Sequence, residues 1–275
     1  MFARQHLTAD LRALGIAPGD VVMAHASVRA VGDVAGGPDE IHLALKDALT
    51  TTGTLLMYAG CPRYFDEVGR GNLSAREEAE ILEKLPAFDP QTARAARDHG
   101  VLVEFLRSYP GTRVNPHVAR FAAWGRAVDD LFASQPWDYA FGAGSTLERL
   151  VALDGRILLL GSDHDTVTFL HYVEHVADIP DKRVARFKVP ILEAGVRVWR
   201  DMEEFDTADG VHAHWPDRFF ARIVDSYLRA AQNRGGRVGA AWCHLLPARE
   251  LLEFARPAME RVARDPRAAD ALAEL

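Results

Sequence analysis

Three stretches of this 275-residue chain combine residue types that move protons or bind ligands. The first is Leu158-Leu159-Leu160-Gly161-Ser162-Asp163-His164-Asp165-Thr166-Val167-Thr168. An apolar strand runs through a glycine turn into a helix, and ligands gather at the carboxyl ends of strands in α/β sheets. His164 stands there between two aspartates. An imidazole titrates near 6.5 and can accept a proton at neutral pH, so His164 is the expected general base. Two hydroxyls follow, on Thr166 and Thr168. The plain alternative is an Asx helix cap carrying a surface histidine.

The second stretch is His171-Tyr172-Val173-Glu174-His175. It has the His-x-x-Glu-His order of one zincin class, with both histidines on one helical face. A zinc hydrolase built on His171, Glu174 and His175 is therefore a rival reading, although it requires a third ligand from elsewhere. The plain alternative is a helix whose polar residues face solvent. The third stretch, Val22-Met23-Ala24-His25-Ala26-Ser27-Val28-Arg29-Ala30-Val31-Gly32, ends a strand in small and polar residues. Backbone N–H groups in such a turn can hold carbonyls or phosphates, and the Arg29 fork matches a phosphate. An ordinary strand-to-loop passage would look the same. Acidic residues form a fourth group: Asp66 and Glu67, then Glu203, Glu204 and Asp206. Converging on one cleft they would attract a polyamine; scattered, they are a solvated acidic face.

Other chemistry is excluded by what the chain lacks. It has no Gly-x-x-x-x-Gly-Lys phosphate loop and no Gly-x-Ser-x-Gly elbow. The stretch from Gln232 to Gly239 superficially matches the CoA loop of GNAT acetyltransferases, but Arg237 occupies a position that must be small.

The elements that must position these residues alternate. Short apolar runs at 21–24, 54–58 and 156–160 read as buried strands. Further strands are expected at 121–124, 184–189, 197–199 and 238–245. Helical spacing occurs at 8–14 (with Thr8 as N-cap), 38–49, 75–85, 100–109, 146–153, 166–177, 219–233 and 247–254. This alternation predicts an α/β fold with a central mixed or parallel sheet flanked by helices, in a single domain spanning 1–275. The segment 61–91 reads as a long surface excursion of the functional kind.

Composition narrows the class. With 48% hydrophobic and 26% charged residues the chain is globular, and its length can support a large core. A net charge of -7 without a Lys/Arg run argues against nucleic acid and suits a cationic ligand. Two cysteines, no apolar leader and no run of about 20 apolar residues fit a cytoplasmic setting without membrane association.

Taken together, the stretches resemble the aminoglycoside 3-N-acetyltransferase family, which is distinct from the GNAT fold. The resemblance is carried in chain order by His25-Ala26-Ser27-Val28-Arg29-Ala30-Val31-Gly32, Gly53-Thr54-Leu55, Phe88-Asp89-Pro90 and Gly142-Ala143-Gly144-Ser145. It continues through Leu160, Gly161, His164, Thr168, His171 and Glu174, then from Val238 to Ala255. Departures are Thr146, where the family often has proline, and Arg120, where serine is usual. The resemblance implies acetyl transfer from acetyl-CoA to the 3-amine of a 2-deoxystreptamine ring, conferring antibiotic resistance, without a metal. It implies His164 as general base and Thr168 at the thioester oxygen. His25, Ser27, Val28, Arg29, Val31 and Gly32 would hold CoA, and Asp66, Glu203, Glu204 and Asp206 the cationic aminoglycoside. Two further alternatives are an acetyltransferase for a non-aminoglycoside amine and a non-catalytic CoA- or cation-binding protein.

Overall fold

Apolar runs too short for helices, separated by turn residues, become the strands of a twisted sheet. The computed structural model describes residues 1–207 and 210–274. Among them nine strands occur: β1 (Val21–Ala26), β2 (Thr54–Tyr58), β3 (Arg113–Val114), β4 (Phe121–Gly125), β5 (Arg156–Leu160), β6 (Val184–Glu193), β7 (Val196–Phe205), β8 (Gly236–Val238) and β9 (Ala241–Pro247). Seven form a mixed sheet in the order β3-β4-β2-β1-β5-β9-β8, and β6 and β7 form a separate hairpin. The three central strands β2, β1 and β5 are parallel, and the outer strands join antiparallel. The α/β class expected from sequence, with helices on both faces of a mixed sheet, is the architecture observed.

Alternation along the central strands builds two cores. Val22 and Ala24 point to one face and Met23 to the other, as the period of two requires. The Val22 side is covered by helices Arg4–Ala13, Asp39–Leu49 and Leu102–Ser108. The Met23 side is covered by helices Thr146–Ala152, Phe169–Val176, Phe219–Ala230 and Ala248–Arg264. A third, smaller cluster joins Phe65 and Phe88 of the 61–91 segment to Phe187, Val189, Ile191 and Met202 of the hairpin. That segment thus lays two buried aromatic rings on β6 and β7, while its helix Ala75–Lys84 has no buried residue.

The chain leaves β1 toward β2 on one side, while β5 pairs with β1 on the other. Such a switch point opens a crevice at the strands' carboxyl ends. There Ala26 stands beside Leu160 in register, and the Ser27 N–H donates to the Leu160 carbonyl at 2.9 Å. Gly161 closes β5 with φ of 62°; a Cβ there would stand 2.6 Å from Ala30 Cβ and 2.9 Å from Ala241 Cβ, so only glycine fits.

Several element boundaries differ from expectation for local reasons. The first helix starts at Arg4, so Thr8 lies inside it, buried, with its hydroxyl on the Arg4 carbonyl at 3.0 Å. The expected strand at 238–245 is split by a turn at Gly239, whose N–H binds Asp10. β6 and β7 are each ten residues long, because Ala194 (φ 48°) and Gly195 (φ 81°) make a tight turn. An Ala-Gly pair lacks the Asn-Gly signal that announces such a turn in sequence. The expected helix over 166–177 is a 3-10 turn, His164–Thr166, followed by the helix Phe169–Val176. Among the described residues no helix is long and apolar enough to cross a membrane.

Candidate active site

A cleft of about 1340 Å³ opens at the switch point between β1 and β5. Its floor is the carboxyl ends of the parallel strands. Its walls are the 61–70 and 94–101 segments, the loop after β5, the turn carrying Thr168 and His171, and the inner face of the hairpin.

His171 is the histidine that the helix Phe169–Val176 presents to this space. Its Nδ1 lies 2.8 Å from Glu174 Oε2, one turn away on the same helix. Glu174 is 1% exposed, and its other oxygen accepts from Trp215 Nε1 at 2.7 Å. A carboxylate accepts only, so Nδ1 carries the hydrogen, and in the neutral ring Nε2 has the lone pair. The rings of Phe141 and Phe220 stand 5.4 and 4.9 Å from the His171 ring and fix its plane. Thr168, three residues earlier, also lines the cleft; it is 8% exposed and its side chain makes no capping bond to the helix it precedes.

His164, the base expected from sequence, is not among the lining residues. The 3-10 turn aims it at the helix Phe219–Ala230, where Nδ1 meets Asp225 Oδ1 at 2.6 Å, with the His244 ring 5.3 Å away. Its neighbours Asp163 and Asp165 do line the cleft. The Asp165 amide and Arg218 hold Asp163 below the usual carboxylate range.

The β1 stretch divides. His25, Ser27, Val28 and Arg29 line the cleft. Val31 and Gly32 do not: Val31 is fully buried, its N–H donates to the Ser27 carbonyl, and the Gly32 N–H donates to the Arg29 carbonyl. Neither has a backbone N–H left for a phosphate. His25 carries an enclosed Nε2 with no hydrogen-bond partner. Burial, then the neighbouring His99 and His171, push its pKa down to about 4.

The acidic group divides as well. Asp66 and Glu204 line the cleft, joined by Glu67 and Asp98. Glu203 points to the opposite face of β7, as a neighbour in a strand must. There it accepts from the Tyr139 hydroxyl and pairs with Arg186 at 2.6 Å. Asp206 is also off the lining, its N–H closing the hairpin base on the Arg183 carbonyl at 2.9 Å.

The zinc reading does not fit this arrangement. His175 turns Nδ1 to the His171 carbonyl at 2.6 Å and Nε2 to Glu204 at 2.5 Å, so neither nitrogen can share a metal with His171. Among the described residues no three His, Cys, Asp or Glu side chains converge on a possible metal position.

Residues 23–260 match the family model described as aminoglycoside 3-N-acetyltransferase. The chain belongs to the aminoglycoside 3-N-acetyltransferase family. It is 43% identical over 255 residues to aminoglycoside N(3)-acetyltransferase III of Pseudomonas aeruginosa, covering 91% of this chain and 90% of that one. To aminoglycoside N(3)-acetyltransferase VII of Streptomyces paromomycinus it is 41% identical over 267 residues, covering 94% and 91%. Among solved structures, AAC-IIIb in a binary complex with CoASH superposes with a TM-score of 0.88 at 42% identity, covering 94% of this chain and 97% of that one. AAC-VIa bound to sisomicin, in a neutron/X-ray structure, gives 0.87 at 35% identity, covering 94% and 98%. The sequence-level family assignment holds along almost the whole chain, and it makes this protein an acyltransferase.

Sequence reading missed Trp215 and underrated His171. The i, i+3 spacing of His171 and Glu174 was the available signal. Trp215 lies 41 residues beyond Glu174 and has no local signature.

Proposed function

We propose that this protein transfers the acetyl group of acetyl-CoA to the 3-amine of a 2-deoxystreptamine aminoglycoside, with His171 as the general base in place of His164. The observation that carries the assignment is the chain Trp215–Glu174–His171, which ends at the cleft with Nε2 as acceptor. The AAC-IIIb and AAC-VIa relatives, one with CoASH and one with sisomicin, support the two substrates.

An alkylamine is largely protonated at neutral pH and cannot attack a thioester until it loses a proton. His171 Nε2 takes that proton. Glu174 holds the ring in the right tautomer and stabilises the imidazolium that forms. The amine nitrogen then bonds to the thioester carbon. Negative charge passes to the carbonyl oxygen, where the Thr168 hydroxyl donates a hydrogen bond. The C–S bond breaks, the acetamide nitrogen gives up its remaining extra proton, and the departing thiolate takes up that proton as CoA thiol, while the proton on His171 passes to solvent. Asp98 lines the cleft, and Asp66 and Glu67 stand there in ion pairs with Arg70 and Arg63; a polycationic acceptor exchanges those arginines for its own ammonium groups, and charge-assisted bonds orient it as well as hold it. Ser27, Val28 and Arg29 form the CoA side, with Arg97 as a further cation on the lining.

Thiol release from acetyl-CoA, measured with and without an aminoglycoside, tests the reaction. His171→Gln should lower kcat by at least ~100-fold, whereas His164→Gln should leave it within about threefold of the parent. The reverse order would return the base to His164. Thiol release that no aminoglycoside stimulates would overturn the acceptor.

A further inference from the structure

Glu204 lines the cleft, yet its carboxylate is already engaged by the protein. Oε1 meets His175 Nε2 at 2.5 Å and accepts from the Phe205 N–H at 2.9 Å. Oε2 accepts from the Ala140 N–H at 2.6 Å. The residue is 6% exposed. His175 in turn spans two elements, with its Nδ1 2.6 Å from the His171 carbonyl and its side chain 2% exposed. Lys182 Nζ donates to the His175 carbonyl at 2.7 Å and stands over the Phe205 ring, which lies edge-on to the His175 ring at 5.0 Å.

Both nitrogens of His175 face oxygen acceptors. Glu204 thus directs three acceptor contacts into the protein, to His175, the Phe205 N–H and the Ala140 N–H. A buried, fully hydrogen-bonded pair of this kind costs desolvation and returns defined geometry.

We infer that the His175–Glu204 pair is a positioning device for acetyl transfer, clasping the β6–β7 hairpin to the helical turn that presents His171, and not a contact for the cationic acceptor. The inference rests on His171 being the base. The hairpin forms one wall of the cleft, and its base is tied to the helix Phe169–Val176 through this side-chain pair. Slack in the clasp moves His171 relative to the bound amine, and a displacement of about 1 Å is enough to cost on the order of 100-fold in rate.

Glu204→Gln and His175→Gln, alone and combined, test the clasp. Glu204→Gln places a donor where an acceptor is needed. His175→Gln overlays its amide nitrogen on Nε2, keeping the donor to Glu204 and losing the one to the His171 carbonyl. Each should lower kcat ~10- to 100-fold while the aminoglycoside KM stays within about twofold, because no acceptor contact is removed. The double variant should be no slower than the slower single variant, as for two residues acting through one contact. A Glu204→Gln enzyme with normal kcat and a KM raised ~10-fold would make Glu204 an acceptor ligand and overturn the inference. Multiplying losses in the double variant would overturn it too. Should His175→Gln not fold, the kcat–KM split of Glu204→Gln decides alone. His171→Gln separates the two readings: full turnover in that variant removes the base assignment. Lost turnover there beside normal kcat in Glu204→Gln removes the clasp only.

Discussion

Glu174→Gln interrogates the Trp215–Glu174–His171 chain at its buried end. The two oxygens of Glu174 have different neighbours, His171 Nδ1 at 2.8 Å and Trp215 Nε1 at 2.7 Å. An indole N–H only donates. A glutamine at this position keeps its carbonyl oxygen toward Trp215 and turns its NH2 toward His171. A donor facing Nδ1 selects the tautomer with the lone pair on Nδ1 and the hydrogen on Nε2, which cannot accept a proton from the amine. Holding the competent tautomer instead would set two N–H donors against each other at 1% exposure, a cost of about 1–3 kcal/mol, or ~5- to 150-fold. Losing the carboxylate that stabilises the imidazolium adds to this, and the equivalent change in a serine-protease triad lowers kcat by about 10⁴. The expected fall in kcat is therefore ~10³- to 10⁴-fold, read as CoA thiol release at saturating substrates. Trp215→Phe in the same chain removes the donor that fixes the amide, and the Phe219 ring, 4.5 Å from Trp215, retains an aromatic neighbour. Glutamine can then reverse its amide, so the double variant should regain at least ~10-fold over Glu174→Gln. A Glu174→Gln enzyme within about threefold of the parent, or a double variant no faster than the single, would refute the tautomer argument.

Thr168→Val keeps the shape of a side chain that is 8% exposed and removes its hydroxyl. It should lower kcat ~100-fold with both KM values unchanged; an effect confined to KM would place Thr168 in ground-state binding. Acid stability should report His117, which is 1% exposed and whose pKa burial pushes down to about 4. The unfolded ring takes up its proton near 6.5, so this contribution is complete above that pH and is lost as pH falls from 6.5 toward 4. At 1.4 kcal/mol per pH unit it amounts to about 3 kcal/mol. Urea unfolding at pH 7.5 and pH 4 should show a smaller stability difference for His117→Gln than for the parent; equal differences would assign the acid loss to other groups.

The sequence by itself determined the architecture and the family. Buried strands such as 21–24 and 156–160 are recognisable because their apolar runs are local and bounded by turns, and the ordered blocks from His25 to Ala255 carry the family assignment. It also placed Thr168 and His171 in one stretch, since the strand-turn-helix signal around Gly161 is local. Which of His164 and His171 faces the cleft was not local. A 3-10 turn at His164–Thr166 in place of continuous helix rotates His164 toward Asp225, and the regular helix after Thr168 turns His171 inward. Tertiary structure alone decided the partners of the buried acids, because Trp215 reaches Glu174 across 41 residues and His175 reaches Glu204 across 29. It also separated Glu203 from Glu204, since adjacent residues of a strand face opposite ways and only the packed hairpin shows which way is in. A linear pattern records residue types and spacing, whereas the burial that gives a histidine its tautomer and a carboxylate its partner comes from chains that meet in space.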